Sequence, residues 1–221
     1  MESKELTIVI VTFKSENKIS NCLNSIPDEI PTIIVENSNN EKFKKEIESN
    51  FKNVKCFLMN ENKGYAIANN FGLKSVKTKY ALILNPDTVL DKNAVKNFFS
   101  TTKLQKDFWL IGPGNDQMKN YNNKNFKLLE VENIKGFAMF FNIFKFNNQY
   151  FDENFFLFFE EIDLCKRIKK NNGKIYLDKD IIINHEGAGS VTIDDFFEFE
   201  KNRNWHWMWS SFYFHKKYKG F

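Results

Sequence analysis

Four short polar stretches of the sequence contain side chains that could together hold a nucleotide. Each follows a run of apolar residues, and they are Thr12-Phe13, Glu36-Asn37, Asn62-Lys63-Gly64 and Asn85-Pro86-Asp87. The Phe13 ring could stack on a base, and Glu36 or Asn37 could form hydrogen bonds with its edge. Asp87 could meet a divalent cation that bridges phosphates, and hard oxygen ligands of this kind suit Mg²⁺ or Mn²⁺. One stretch alone indicates only a solvated loop or a helix cap, but four in order favour a nucleotide site.

Residues 80–90 show how the chain would position such a site. The apolar residues 81–84 predict a buried strand, and this strand must end at Pro86 because proline cannot donate a hydrogen bond to a sheet. Ligands of open α/β sheets bind outside the carboxyl ends of the strands, so Asp87 is well placed to hold a metal or a polyphosphate. The alternative is an ordinary Asx-Pro turn in which Asp87 caps a helix that begins near Asp91.

The first hundred residues alternate between strand and helix patterns, and this alternation ends after them. Strands are predicted at residues 6–12, 32–35, 54–59 and 80–84, and helices from an N-cap at Ser15, at 41–49 and around 65–73. This order predicts a parallel sheet with right-handed crossovers, in effect a nucleotide-binding half. A second, mixed part is predicted from strands at 108–111, 136–142, 174–176 and 181–184 and a helix at 160–171.

Length and composition exclude several classes of protein. The 221 residues are enough for one domain with a sizeable core, and the net charge of +4, from 32 basic and 28 acidic residues, is too balanced to indicate a nucleic-acid partner. Cys22, Cys56 and Cys165 are isolated, which argues against a disulfide framework or a zinc site and favours a reducing compartment. No signal-peptide pattern and no long apolar run is present, so we expect a cytoplasmic protein without a membrane span.

A set of motifs between Leu6 and Ser190 resembles bacterial glycosyltransferases of family two, and most closely their rhamnosyltransferase-like members. The motifs are, in order, VTFKSE, VENSNN, NENKGYAIANNFGL, LILNPDT, FDENFFLFFEEIDLCKRIKKNNGKI and NHEGAGS. The resemblance implies the GT-A fold, an α/β architecture in which a mostly parallel, Rossmann-like nucleotide-binding sheet is fused to a smaller mixed acceptor-side part. It also implies metal-assisted, inverting transfer of a sugar from a nucleotide-sugar donor, with dTDP- or UDP-sugars favoured. The expected acceptor is a saccharide or a polyprenyl-linked saccharide, as a precursor of a surface polysaccharide or glycolipid.

On the donor side, the resemblance assigns nucleotide-binding roles to residues near the ends of the first four strands. These residues are Thr12, Phe13, Glu36, Asn37, Lys63, Gly64, Asn69 and Asn85. Glu36 stands where the family has an aspartate that recognises the base, so its reach is longer by one methylene group. Asn85-Pro86-Asp87 matches the aspartate-x-aspartate metal motif with Asp87 as its single carboxylate, which implies a weaker, exchangeable site for Mg²⁺ or Mn²⁺.

On the acceptor side, Glu160-Glu161 matches a Glu-Asp motif at the start of a helix. By this resemblance Glu161 is the general base that deprotonates the acceptor hydroxyl, as a single inverting displacement requires, and Glu160 and Asp163 are grouped with it as catalytic acids. The alternative is that the three acids only offset the helix dipole, which stabilises a helix by roughly 0.3–1 kcal/mol.

The resemblance assigns three further residues around the transfer site. His185 begins a segment that matches the family's His-x-x-Gly-x-Ser pattern, and it is implied as a metal ligand together with Asp87. Ser190 in the same segment is implied on the phosphate side. Gly136 matches a glycine of the acceptor-facing strand, where a side chain would obstruct the sugar.

The region from residue 193 to residue 221 is predicted to be a helical extension of a catalytic domain that spans residues 1–192. Its apolar residues at helical spacing are Trp205, Met208, Trp209 and Phe212. We expect this stripe to pack against the catalytic domain. Two alternatives are an interfacial helix at the inner face of the cell membrane, with Lys216, Lys217 and Lys219 near anionic lipid, and a homodimer face.

Two rival functions fit parts of the sequence. A nucleotidyltransferase would share the nucleotide-binding sheet, but it would need a glycine-rich, basic phosphate loop after the first strand, which the stretch VTFKSEN lacks. A catalytically degenerate nucleotide-binding or scaffold protein on the same fold is allowed by the variations at Glu36, Asn85 and Glu161. Nucleotide binding together with turnover would separate this second rival from the transferase.

Overall fold

The computed structural model describes residues 2–114, 117, 127–185 and 196–220. In these ranges the strands are β1 (Leu6–Thr12), β2 (Thr32–Glu36), β3 (Val54–Leu58), β4 (Tyr80–Leu84), β5 (Thr88–Leu90), β6 (Leu110–Pro113), β7 (Leu128–Glu130), β8 (Ala138–Asn142), β9 (Ile175–Asp178) and β10 (Ile183–His185). The helices are α1 (Ile19–Asn24), α2 (Glu41–Asn50), α3 (Gly64–Ser75), α4 (Ala94–Leu104), α5 (Glu160–Lys170) and α6 (Phe196–Lys219).

Eight strands form one mixed sheet in the order β3-β2-β1-β4-β8-β6-β9-β7. The neighbours β3, β2, β1 and β4 are all parallel. Strand β8 runs antiparallel to both β4 and β6, while β9 is parallel to β6 and antiparallel to β7. A separate antiparallel ribbon joins β5 to β10. The predicted architecture of a parallel half continued by a mixed half is therefore confirmed.

Apolar layers cover both faces of the large sheet, which explains why its central strands read as unbroken apolar runs. Along β1, Leu6, Ile8 and Ile10 pack with helices α1, α2 and α4, whereas Val9 packs on the opposite face with helices α3 and α5. Every residue of β4 is buried, and the same alternation runs along it. Such strands carry their polar residues only where they end, so the functional groups collect at the ends of the strands.

One local prediction and one alternative near the nucleotide edge are wrong. Helix α1 begins at Ile19 and is not capped by Ser15, whose hydroxyl donates a hydrogen bond to the carbonyl of Phe13 at 3.0 Å and so forms a turn. Asp87 does not cap a helix, because the next element is the strand β5 and α4 begins only at Ala94. For Asp87, the sequence correctly indicated a turn after β4. The residues after this turn form a strand and not a helix, because β5 pairs with the distant β10.

Helix α6 packs against residues 155–159 through a face that the sequence did not indicate. The His206 ring stacks on Phe156 with 4.3 Å between centroids, and the Ser210 hydroxyl donates a hydrogen bond to the carbonyl of Leu157 at 2.8 Å. The stripe expected to pack faces away from these contacts and is exposed, and it consists of Trp205, Met208, Trp209 and Phe212. No helix in the described part of the chain is long and apolar enough to cross a membrane.

Candidate active site

The carboxyl ends of β1 and β2 bring the predicted base-contacting residues together. Thr12 and Glu36 are register partners in the two parallel strands, and the carbonyl of Thr12 accepts a hydrogen bond from the amide of Asn37 at 2.8 Å. The Thr12 hydroxyl is buried without a hydrogen-bond partner among the described residues. Phe13 follows directly and is partly exposed, so its ring remains accessible beside these groups.

The side chain of Asn37 ties the loop before α3 to the end of β2. Its amide nitrogen donates to Asn62 Oδ1 at 2.9 Å and to the carbonyl of Gly64 at 3.2 Å, and its oxygen accepts from the amide of Lys63 at 3.0 Å. Gly64 has φ of +81°, and a Cβ at this position would lie 2.5 Å from the carbonyl oxygen of Phe156. Only glycine fits this junction, because it tolerates both the positive φ and the close approach.

The carboxylate of Glu36 is engaged by its own loop. It accepts hydrogen bonds from the amide of Ser38 at 3.0 Å, from the amide of Asn40 at 2.7 Å and from the Ser38 hydroxyl. The side chain is almost fully buried. Glu36 therefore shapes the turn after β2, and its recognition of a base stays a prediction.

Asp87 and His185 form a pair that suits a divalent cation. The antiparallel pairing of β5 with β10 places His185 opposite Thr88, and His185 Nε2 lies 3.3 Å from Asp87 Oδ1. The Oδ1 atom is buried and has no partner with hydrogen-bond geometry, although the imidazole is near. Carboxylate oxygen and imidazole nitrogen are both metal ligands, so the unpaired oxygen fits a cation between the two side chains.

The described residues contain no group of three or more His, Cys, Asp and Glu side chains that could hold a metal. Phosphate oxygens and water, which complete the coordination of Mg²⁺ and Mn²⁺ in nucleotide sites, would suit the open positions of a cation at Asp87 and His185. Ser190, which the sequence placed on the phosphate side, lies outside the described residues. Asn85 is part of the turn that holds Asp87, since its carbonyl accepts hydrogen bonds from the amide and the hydroxyl of Thr88.

Glu160 and Glu161 form an acid pair in the first turn of α5. Oε2 of Glu160 is buried without a hydrogen-bond partner in the described structure, and burial together with the charge of Glu161 raises the pKa of Glu160 well above its usual value. Burial also raises the pKa of Glu161, which keeps part of its surface exposed. Two carboxyl groups this close hold one proton between them more readily than they carry two charges. The accessible member, Glu161, is thus a base with a raised proton affinity.

The entrance to β8 lies between the acid pair and the cation pair. A Cβ on Gly136 would lie 3.6 Å from Cβ of Glu161, so the missing side chain leaves space beside the carboxylate. The next residue, Phe137, stacks on the His185 ring with 4.6 Å between centroids, and its carbonyl accepts a hydrogen bond from the amide of Asn85 at 2.9 Å. Of these two consecutive residues, Gly136 therefore lies next to the predicted base, and Phe137 contacts a predicted metal ligand.

Tyr65 belongs to the site, and the sequence analysis missed it. Its hydroxyl donates to the carbonyl of Gly136 at 2.8 Å, and burial, together with the charges of Glu160 and Glu161, raises the pKa of the phenol well above its usual value. The side-chain nitrogen of the buried Asn69 donates to the carbonyl of Tyr65 at 3.0 Å. Tyr65 is thus a positioning residue that joins α3 to the acid pair. The signal available was an aromatic residue with a polar tip directly after Gly64.

Asp163 was grouped with the catalytic acids, but its carboxylate is occupied by structural contacts. The group is fully buried and accepts hydrogen bonds from Arg167 Nε at 2.8 Å, from Lys217 Nζ at 2.6 Å and from the Tyr218 hydroxyl at 2.8 Å. The last two partners belong to α6. Asp163 therefore anchors the end of α6 to the catalytic helix, and these contacts give it a structural role.

The segment that leads into the acid pair has an unusual backbone. Phe158 and Phe159 have φ values of 71° and 68°, in the left-handed region that favours glycine. Phe159 contacts α6, with 6.2 Å between its ring centroid and that of Trp207 and 5.4 Å to that of Phe214. Packing against α6 thus accompanies the strained conformation that brings Glu160 and Glu161 to the start of α5.

The sheet, parallel in its first half and mixed in its second, has the GT-A fold. A solved mannosyltransferase from Pyrobaculum calidifontis, in complex with GDP-Man and Mn²⁺, is similar with a TM-score of 0.69 over 93% of this chain and 62% of its own, at 11% sequence identity. The structure of S. aureus TarS 1-349 in complex with UDP is similar with a TM-score of 0.62 over 80% of this chain and 58% of its own, at 19% identity.

A comparison of the sequence with models of protein families shows the family of this chain. The model of glycosyl transferase family 2 matches residues 7–164, and the chain belongs to this family. Among curated proteins, the low-salt glycan biosynthesis hexosyltransferase Agl10 of Haloferax volcanii is 23% identical over 195 residues, which cover 76% of this chain and 62% of the relative. The chain thus spans less than two thirds of the length of each relative described.

Proposed function

We propose that this protein is an inverting glycosyltransferase that moves a sugar from a nucleotide-sugar donor to an acceptor hydroxyl. The observation that carries the proposal is the position of residues 136 and 137: Gly136 lies next to Glu161, and the Phe137 ring stacks on His185. A donor whose diphosphate lies near Asp87 and His185 would present its sugar toward this entrance. The acceptor hydroxyl would then approach beside Glu161, in the space that Gly136 leaves open.

Glu161 supplies the base for the transfer. Its carboxylate takes the proton of the acceptor hydroxyl as the hydroxyl oxygen attacks the anomeric carbon, and the bond from that carbon to the nucleoside diphosphate breaks. A single displacement of this kind inverts the anomeric centre. The raised pKa of Glu161 strengthens it as a base at neutral pH, and the neighbouring Glu160 holds the proton that the pair retains.

Asp87 and His185 would hold Mg²⁺ or Mn²⁺, which would neutralise the charge that develops on the leaving diphosphate. The unpaired Oδ1 of Asp87 next to the imidazole supports this assignment. The similar mannosyltransferase and a similar GalNAc-T7 structure both contain Mn²⁺. Among the donors, a UDP- or dTDP-sugar remains favoured, and the UDP complex of TarS supports a uridine nucleotide.

The proposed acceptor is a saccharide or polyprenyl-linked saccharide that is a precursor of a cell-surface glycan. The glycan biosynthesis role in the name of the Haloferax relative supports this class of acceptor. Rhamnosyl transfer is the specificity that the sequence motifs favour. We place the enzyme in the cytoplasm, with residues 1–192 as the catalytic domain and the C-terminal helix as an extension of it.

A thermal-shift panel tests the donor site. UDP, dTDP, GDP and CDP are each added with and without Mn²⁺, and we expect one nucleotide to raise the melting temperature in a metal-dependent way, because a ligand that binds the native state stabilises it by mass action. The shift should disappear in Asp87→Asn and persist in the matched control Asp91→Asn, whose side chain only caps the turn before α4. The absence of a shift with all four nucleotides would contradict the proposal and favour the scaffold alternative.

A further inference from the structure

The two long faces of α6 differ in what they contact. The inner face packs on the catalytic part of the chain through contacts such as those of His206, Ser210 and Lys217. The opposite face carries an outer stripe, which we define as Trp205, Met208, Trp209 and Phe212. Each of these side chains is between 48% and 60% exposed. Since α6 already has a packed face, the outer stripe is not the buried side of this helix.

We propose that the outer stripe of α6 docks on the surface of an anionic lipid membrane. Contiguous exposed patches of large apolar residues mark interaction sites in soluble proteins, because leaving them in water is unfavourable. Tryptophan is enriched where one end of a side chain is apolar and the other is wet, which is the environment at the headgroup level of a bilayer. The two tryptophans four residues apart fit a helix that lies in this plane.

Two lysines beside the stripe complement anionic headgroups. Lys201 lies four residues before Trp205 and Lys216 four residues after Phe212, so helical spacing places both lysines on the face of the stripe. The ammonium group of Lys216 is 6.0 Å from the centroid of the Phe212 ring. Lysines that flank an apolar stripe at both ends would each meet a lipid phosphate when the stripe is buried.

The same lysines disfavour a second copy of this chain as the partner. In a two-fold antiparallel pairing centred on the stripe, position 205 faces position 212, and position 201 faces position 216. This arrangement would set Lys201 of one copy against Lys216 of the other directly beside the apolar residues of the stripe. The same register sets Glu198 against Lys219, an opposite-charge pair, but about one helical turn further from the stripe. The like charges beside the stripe oppose association, whereas an anionic surface neutralises both lysines.

The proposed surface also has a useful position relative to the active site. The inner face of α6 holds residues 155–159, which lead directly into Glu160, and a helix with its side chains is about 10–12 Å thick. A membrane on the outer face would therefore lie about one helix diameter from the segment that positions the base. The inference places the proposed transferase at a membrane surface. It rests on the proposed function only in this last step, in which a lipid-linked acceptor would emerge about one helix diameter from that segment.

Co-sedimentation of the purified full chain with lipid vesicles tests the docking surface. One set of vesicles is phosphatidylcholine, and the other is phosphatidylcholine mixed with phosphatidylglycerol. We expect preferential binding to the anionic vesicles, weakened by salt, and a loss of about fivefold in the partition coefficient for each lysine removed in Lys201→Gln and Lys216→Gln. The double variant Trp205→Ser/Trp209→Ser should lose about tenfold for each tryptophan.

Phe144→Ser is the matched control, because Phe144 is 73% exposed on a 3-10 helix outside the stripe, and it should bind like the wild type. All substituted side chains are exposed, so unchanged melting temperatures verify that the variants fold.

The proposal is overturned if the wild type does not bind anionic vesicles, or if the tryptophan variant binds as well as the wild type. A wild-type dimer that the tryptophan variant converts to a monomer, without vesicle binding, would identify a second copy as the partner. These assays need no nucleotide, so their failure is distinct from failure of the donor-site test.

Discussion

The loop after β2 differs from the other parts of the site in how its buried polar groups are satisfied. In this loop, both oxygens of Glu36 and both ends of the Asn37 amide have hydrogen-bond partners within the protein. Elsewhere in the site, Oε2 of Glu160, Oδ1 of Asp87 and the hydroxyl of Thr12 are buried without such partners among the described residues. Buried polar atoms are normally satisfied, and exceptions cost free energy. The comparison therefore separates groups that hold the fold together from groups that remain available to a ligand or a proton.

The backbone shows a related contrast. On the donor side, positive φ values occur at Gly64, at Asn39 and Asn60, whose residue type tolerates this region better than most, and at Lys14. The acid side instead has two consecutive aromatic residues, Phe158 and Phe159, in the left-handed region, where each non-glycine residue costs about 1–3 kcal/mol. Contacts with α6 must outweigh this cost. The conformation of the acid segment thus depends on a helix that is distant in sequence.

The largest effect is expected from Glu161→Gln, which removes the proposed base without changing its size. We expect kcat to fall by about 10²–10⁴-fold, because an amide cannot accept the proton of the acceptor hydroxyl. Nucleotide binding and the melting temperature should hardly change. Glu132→Gln, at an exposed acid that pairs with Lys169 at the opposite end of α5 from Glu161, is the control. If turnover survives in Glu161→Gln while nucleotide and metal still bind, the base is a different group.

A pair of glycine substitutions probes the junction between the two sides. Gly64→Ala should destabilise the fold by about 2–4 kcal/mol, because its Cβ would combine a positive φ with a 2.5 Å approach to the carbonyl of Phe156. Gly136→Ala meets only ordinary contacts, so its stability should stay within about 1 kcal/mol of wild type, while the apparent KM for the acceptor rises. Urea unfolding and acceptor kinetics measure the two effects. Equal stability losses in the two variants would show that the close approach at Gly64 is relieved by movement of residue 156.

The smallest expected changes in the free energy of unfolding have opposite signs. They come from replacing Glu36, whose carboxylate has hydrogen-bond partners, and Glu160, whose Oε2 has none among the described residues. Glu36→Gln should lower the free energy of unfolding by about 1–3 kcal/mol, since the amide group cannot accept all the hydrogen bonds from Ser38 and Asn40. Glu160→Gln should instead gain about 1–2 kcal/mol at about pH 8, because a group that stays neutral replaces one whose ionisation in the folded state is unfavourable.

The pH dependence of the free energy of unfolding tests whether Glu160→Gln is stabilising for the expected reason. The pKa of Glu160 is raised in the folded protein, so the stability that its proton provides is complete below the pKa of the unfolded chain, about 4.3, and is lost as the pH rises toward the folded value. The advantage of Glu160→Gln should therefore widen from about pH 5 to about pH 8. Unfolding curves at the two pH values measure it. An advantage that does not change with pH would mean that Glu160 ionises as it does in the unfolded chain.

The first four strands could be predicted from the sequence because burial on both faces leaves an unbroken apolar run that ends at a polar turn. This pattern gave β1 at its observed bounds and β2, β3 and β4 to within one residue. It also indicated which residues would meet at the nucleotide edge, since parallel strands end at a common edge. The metal pair followed only from the family resemblance, because the pairing of β5 with β10 joins residues about a hundred positions apart.

Long-range contacts explain the features that the sequence did not reveal. The stripe of α6 has the spacing of a packed face, but periodicity alone does not tell which apolar face a helix buries when aromatic residues occur all around it. The partners of Asp163 lie 54 and 55 residues further along the chain, so its acidic position in the first turn of α5 could not be distinguished from that of a catalytic acid. The role of Tyr65 likewise depends on Gly136, which is 71 residues away.

The anchoring of residues 155–163 by α6 has a consequence for the order in which a new chain matures. Synthesis at about 5–20 residues per second means that α6 is completed about 3–12 s after Glu161 has been added. During this interval the segment before Glu160 lacks the contacts with His206, Ser210 and Lys217. The parallel strands β1–β4 can form while the chain is still attached to the ribosome, whereas the proposed base reaches its place last. If the proposed function holds, an unfinished chain able to bind a nucleotide sugar would not yet have the geometry to transfer the sugar.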